Sequence, residues 1–202
     1  MEIIIDEREN SLYEKCIELV SSSTNSMNVS QIKKQVLPLG DIVILRDSKP
    51  LFIIERKSFA DLLASIKDGR YEEQSYRLMH SEEYPRNRVI YLLEGMFSTI
   101  RNPQEKKTIL SAMSSLALFK GFHVVRTCAM METAEYLLQM VDKLSREFKK
   151  GKILFSPLPS ISNLEKNTEE SNLEKDTEEN PEKIKEYRRT AYLKRKAKLQ
   201  DV

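Results

Sequence analysis

Residues 40–61 read GDIVILRDSKPLFIIERKSFAD, two short apolar runs that each end against charged residues, and no other stretch restricts the fold as much. Residues 42–45 and 51–54 are rich in β-branched side chains and are separated by Arg46, Asp47, Ser48, Lys49 and Pro50. That pattern predicts an antiparallel hairpin. Runs apolar at every position predict strands covered on both faces. With Asp47, Ser48 and Lys49 as a three-residue loop, Arg46 pairs with Pro50 and Asp41 falls opposite Glu55. Side chains alternate along a strand, so Glu55 and Lys57 share one face while Arg56 points to the other. Asp41, Glu55 and Lys57 therefore converge at one end of the hairpin.

Charges at the end of a buried hairpin are costly unless they are paired or bind a metal. Two carboxylates, Asp41 and Glu55, suit a hard oxygen-seeking cation such as Mg²⁺, with Mn²⁺ as a substitute, which keeps waters and takes phosphate oxygens as further ligands. A neighbouring lysine adds positive charge where a phosphodiester would gain negative charge in the transition state. The same letters also describe an ordinary strand-end ion pair with Asp41 in the turn, and spacing alone leaves both readings open.

The wider pattern carries more. G-D, a gap, E-R-K, three residues and D resembles the signature of the XPF family of structure-specific DNA endonucleases, here Gly40, Asp41, Glu55, Arg56, Lys57 and Asp61. IIIDERE at 3–9, IKDGRYEEQSYRL at 66–78, VIYLLEG at 89–95, GFHVVRT at 121–127 and METAEYLLQMV at 131–141 follow the order of that family. The resemblance implies an α/β, restriction-endonuclease-like fold: a central mixed β-sheet flanked by helices. It implies a metal-dependent endonuclease cutting branched, flapped or forked DNA in repair or recombination. The alternative is a non-catalytic, nuclease-like DNA-binding subunit of a heterodimer, which such partners usually betray by losing the acids retained here.

Carried over residue by residue, the resemblance implies an active site of Asp6, Glu9, Asp41, Glu55, Lys57 and Asp61, with Arg56 among the catalytic group and Arg8 and Arg70 beside it on DNA. Local chemistry offers a second reading of several. Ser58 and Asp61 fit a capping box at the start of a helix. Asp6 and Glu9 stand at a helix entry, where acids suit the dipole. Arg70 follows Gly69, a common stop just past a helix. Glu94 reads as a plain strand terminus. The resemblance also implies a homodimer or heterodimer formed by the last two nuclease-domain helices, where Ile109, Met113, Leu116 and Phe119, and then Met131, Ala134, Leu137, Leu138, Val141, Leu144 and Phe148, make apolar stripes.

Periodicity predicts strand 2–6, helix 11–22, strand 31–37, the hairpin, a helix over 59–79 broken near Gly69, strand 88–93, helix 103–119, strand 122–127 and helix 131–149. The nuclease domain is thus expected over residues 1–150. Residues 151–181 contain SNLEKNTEE followed at once by SNLEKDTEE, an acidic tandem repeat poor in core-forming residues, which predicts a disordered linker. Residues 182–202 form a basic tail of expected helix, with Lys183, Lys185, Arg188, Arg189, Lys194, Arg195, Lys196 and Lys198 placed for DNA contact or nuclear import. The family instead continues here into a tandem helix-hairpin-helix domain that grips duplex DNA.

Composition narrows the alternatives. Thirty-three Lys and Arg against 31 Asp and Glu leave a net charge of only +2, so a DNA surface must come from charge placement. Cys16 and Cys128 are too few for a zinc site or a disulfide framework, and predict buried thiols in a reducing compartment. His80 and His123 match no metal-ligand or triad spacing. No run reaches membrane-spanning length, and no signal peptide precedes the first strand. The expected location is the nucleus, or the cytoplasm for a viral or microbial chain.

Overall fold

The apolar runs become a single six-stranded mixed sheet. In the computed structural model, which describes residues 1–22 and 28–154, the strands are β1 (Glu2–Asp6), β2 (Gln31–Gln35), β3 (Ile42–Arg46), β4 (Lys49–Ser58), β5 (Val89–Glu94) and β6 (His123–Thr127), in the order β2-β1-β3-β4-β5-β6. The β1/β3 and β3/β4 pairings are antiparallel; β1/β2, β4/β5 and β5/β6 are parallel. Met1–Leu154 forms one compact unit. The expected linker from residue 155 onward and the basic tail lie outside the described residues.

Period-two alternation divides the side chains into two cores. Ile3, Ile5, Ile42, Ile44, Ile54, Ile90 and Leu92 meet α1 (Asn10–Ser22) and α5 (Met130–Lys149) on one face. Val43, Ile53, Val89, Tyr91 and Leu93 meet α2 (Phe59–Asp68), α3 (Arg70–Met79) and α4 (Pro103–Ser114) on the other. Both faces are covered, as the uninterrupted apolar runs require. Among the described residues no helix is long and apolar enough to cross a membrane. Cys16 is buried in the first core, whereas Cys128 is half-exposed, contrary to the expected burial of both thiols.

Three details correct the expectations. The hairpin loop is two residues, Asp47 and Ser48, both at positive φ, with Arg46 opposite Lys49 and Leu45 opposite Pro50. A register shift between Ile44 and Leu45 then leaves Leu51 as an extra residue and sets Ile42 opposite Ile54. Such a bulge restores the alignment that a three-residue loop was expected to supply. Second, the helix from Pro103 is α only to Ser114 and closes as a π turn over Ser115–Phe119, leaving Leu118 and Phe119 77% and 81% exposed. Third, Ala134, Leu137, Leu138 and Val141 on α5 and Ile109 and Leu116 on the preceding helix have no exposed surface, so these stripe positions close the chain's own cores and offer nothing to a partner. The broken helix at 59–79 holds: Gly69, at φ 88, ends α2 in the left-handed conformation that favours glycine, and α3 starts at once.

Candidate active site

The hairpin end is shaped by a glycine that nothing else replaces. Gly40 has φ +69, and a Cβ there would stand 2.7 Å from Ile53 Cγ1 and 3.2 Å from the Ile54 carbonyl oxygen. With that clearance Asp41 enters the ladder: its N–H donates to the Ile54 carbonyl at 2.9 Å, and its own carbonyl accepts from Asp6 N–H at 2.8 Å. The Arg56 backbone N–H donates to Asp41 Oδ2 at 2.8 Å. One backbone motif thus fixes Asp6, Asp41 and Glu55 around a common point.

That point is a cavity of about 350 Å³ lined by Asp6, Arg8, residues 36–41, Glu55, Gln74 and Arg77. Glu55 and Lys57 follow Ile53 on the face covered by α2 to α4, as alternation predicts. Lys57 Nζ lies 3.5 Å from Glu55 Oε1 and donates to Gln74 Oε1 at 2.8 Å. Asp6 is 1% exposed and has both oxygens occupied: Oδ2 accepts from Leu37 N–H at 2.8 Å, and Oδ1 from the Arg8 backbone and side chain. Burial raises the Asp6 carboxyl, but those hydrogen bonds outweigh it and leave its pKa below the ordinary aspartate value.

Asp41 and Glu55 behave oppositely. Burial pushes the Glu55 carboxyl well above its ordinary value, and the Asp41 charge pushes it further against the pull of Lys57. Burial likewise raises Asp41, opposed by the Arg56 N–H and reinforced by Glu9. A half-buried and a buried carboxyl whose charges oppose each other are chemically suited to a cation between them. Both donors are hard oxygens, and the cavity leaves room for water and phosphate oxygens, so the pair fits Mg²⁺. Among the described residues no group of three or more His, Cys, Asp and Glu side chains is arranged to hold a metal, so protein side chains alone would leave most of the coordination of a cation at Asp41 and Glu55 to water and substrate oxygens.

Arg56, between Glu55 and Lys57 in sequence, points through the sheet to the other side. Its Nη1 donates to Glu9 Oε2 at 2.7 Å, and its Nη2 and Nε donate to Glu94 Oε2 at 2.8 and 3.1 Å. Thr133 Oγ1 on α5 donates to the same Glu94 oxygen at 2.8 Å. Glu94 is therefore more than the plain strand terminus expected of it: it ties β5 to β4 and α5. Glu9 is held by Arg56 outside the cavity lining. Asp61 is exposed at the first turn of α2, where its N–H donates to Ser58 Oγ and its carboxylate accepts from the same hydroxyl. It caps the helix and does not line the cavity. Arg70 is exposed and paired with Asp68 at 2.7 Å. Arg8 lines the cavity with 72% of its side chain exposed. Lys183, Lys185, Arg188, Arg189, Lys194, Arg195, Lys196 and Lys198 lie outside the described residues. Sequence reasoning passed over residues 36–39 and, among the polar side chains of the lining, Gln74 and Arg77, although both of these stand in the quoted IKDGRYEEQSYRL segment and three-residue spacing puts them on one helix face.

Residues 5–140 match the family model described as the ERCC4 domain. A crossover junction endonuclease MUS81 from Gibberella zeae is 38% identical over 111 residues, covering 54% of this chain and 18% of that protein. The structure-specific endonuclease subunit MUS81 of Homo sapiens is 36% identical over 94 residues, covering 46% of this chain and 16% of that protein. The chain thus spans less than a fifth of the length of these curated relatives. Among solved structures, XPF from Aeropyrum pernix in complex with DNA superposes with a TM-score of 0.54 at 26% identity, covering 76% of this chain and 68% of that one.

Proposed function

Because the chain belongs to the ERCC4-domain family of XPF-type nucleases, we propose that it is a metal-dependent, structure-specific DNA endonuclease acting on branched, flapped or forked DNA. One observation carries the reading: half-buried Asp41 and buried Glu55 line one cavity, with Lys57 3.5 Å from Glu55, and burial raises both carboxyls above their ordinary pKa values. Hydrolysis forms one P–O bond from water and breaks one P–O bond to a sugar oxygen. A divalent cation, when bound, polarises the phosphate and makes water more acidic. Asp41 and Glu55 hold that cation, Mg²⁺ or Mn²⁺. Lys57 places a fixed ammonium where the phosphate gains negative charge. Arg8 and Arg77 line the same cavity and meet the flanking phosphates. Asp6 keeps residue 37 and Arg8 in place, and the Arg56 network holds β4 in register behind the reacting groups.

DNA placement and assembly belong to the same proposal. The human relative is named as a subunit, and the XPF structure holds DNA. This chain pairs with a second subunit through the outer side of the last two helices, where Leu110, Leu118 and Phe119 are exposed, and acts in the nucleus. The basic residues of the tail contact phosphate backbones. The decisive experiment incubates the full chain, alone and with a candidate partner, with linear duplex, flap, fork and four-way-junction DNA in Mg²⁺, Mn²⁺ or chelator. Metal-dependent cleavage confined to branched substrates is expected. Cleavage of linear duplex at a fixed sequence would overturn the structural specificity, and junction binding without cleavage under any metal would make the chain a non-catalytic subunit.

A further inference from the structure

Lys57 is a buried cation whose setting the carboxylates alone do not explain. Its side chain is 7% exposed, and a buried ammonium needs partners for its three donors. Glu55 Oε1 at 3.5 Å lies within ion-pair range yet is too long for a strong hydrogen bond. The short bond, 2.8 Å, goes to the neutral oxygen of Gln74. α3 presents that amide from a firm seat. Tyr71, Ser75 and Leu78 on its inner face are buried, Lys120 Nζ donates to Ser75 Oγ at 2.7 Å, and Arg77 Nη2 donates to the Pro38 carbonyl at 2.8 Å. The helix is thereby fastened on both sides of residue 74, the condition under which a hydrogen bond holds a reacting group in place.

An amide does here what neither a carboxylate nor an alkyl group does. A glutamate would accept the same bond but bring a second negative charge against Lys57, cancelling the charge that the phosphate needs. A leucine would leave the ammonium one partner short and free to turn. We propose that Gln74 is the positioning residue for Lys57: its side-chain oxygen holds the ammonium beside Glu55 while leaving its charge available to the substrate phosphate. The effect on rate rests on the nuclease reading above; the effect on Lys57 itself does not.

The test uses the full chain as wild type, Gln74→Leu, Gln74→Glu, Lys57→Ala and the Gln74→Leu/Lys57→Ala double variant. The first measurement, without DNA or metal, is the order parameter of the Lys57 ammonium from ¹⁵N relaxation. It should be high in wild type and Gln74→Glu and fall in Gln74→Leu. The second is single-turnover cleavage of a flapped junction at saturating DNA in Mg²⁺. Gln74→Leu should slow it by about tenfold to a hundredfold, and Gln74→Glu should also slow it despite an ordered Lys57. In the Lys57→Ala background Gln74→Leu should cost nothing more. An ammonium equally ordered in wild type and Gln74→Leu overturns the proposal, as do losses that multiply in the double variant. An inactive wild type would sink the nuclease reading while the relaxation measurement still decides the positioning. If Gln74→Leu does not fold, Gln74→Met, which keeps the length and lacks the oxygen, replaces it.

Discussion

Glu55, Arg56 and Lys57 are consecutive on β4 yet enter two environments that differ in how completely charge is answered. On the side of α1 and α5, Arg56 is bracketed by Glu9 and Glu94, and Glu94 gains Thr133 as well. On the side of α2 to α4, Asp41 and Glu55 line one cavity with Lys57 3.5 Å from Glu55, and burial holds both carboxyls above their ordinary pKa values. The first arrangement is satisfied within the chain. The second stays electrostatically poor within the chain. Under the proposed function, complete pairing goes with scaffold and incomplete pairing with chemistry, even for neighbours in one tripeptide. Asp6 extends the lesson: it is as buried as Glu55, but its hydrogen bonds leave it an ordinary ionised carboxylate with a structural task.

The sharpest way to break this comparison is to neutralise one side at a time. Asp41→Asn or Glu55→Gln should lower cleavage of branched DNA by on the order of a thousandfold and weaken Mg²⁺ binding by titration calorimetry, with circular dichroism unchanged. Cleavage within a few-fold of wild type by purified Asp41→Asn would remove the assignment of the cavity. Arg56→Met should act on the fold instead. It strands Glu9 and Glu94, whose side chains are only 18% and 15% exposed, and should cost about 3 kcal/mol of stability in urea unfolding. A loss below about 1 kcal/mol would reduce the bracket to a surface pair.

The smallest effect is the most diagnostic. With folded carboxyl pKa values raised at Asp41 and Glu55, the metal-free folded chain retains protons that the unfolded chain gives up above about pH 4. Their contribution is fully present below the unfolded values and is lost as pH rises through the folded ones. Asp6, shifted the other way, contributes stability that is lost only on strong acidification. Between pH 5 and pH 8 the metal-free protein should therefore lose stability, Asp41→Asn should flatten that decline, and saturating Mg²⁺ should reverse it at the upper end. A metal-free stability that rises with pH across this range would show that the pair is no less satisfied than the Arg56 bracket.

Much of this architecture is legible in the letters because it depends on local periods. Alternation alone separates Arg56 from Glu55 and Lys57, and Ser58 with Asp61 spells out a helix cap that the structure forms. The order of strands and helices follows from the same periodicities. What the letters withhold is partner choice over distance. Glu9 and Glu94 lie 47 and 38 residues from the arginine they hold, and Gln74 reaches Lys57 only because α3 packs over that face of the sheet. The hairpin arrived at its expected register by an unexpected route, a two-residue turn corrected by a bulge, since many loop geometries are compatible with four polar residues and a proline while few alignments bury Ile42, Ile44 and Ile54 together. The apolar stripe of α5 likewise announces burial without saying against what, and Leu137 and Leu138 turn out to face the chain's own sheet. By itself, then, the sequence determined which side chains share a face and which charged groups the cavity face carries. Tertiary structure alone decided which charges are answered and which are left exposed to a substrate, because side-chain direction is set by the local backbone and electrostatic satisfaction by elements far apart in the chain.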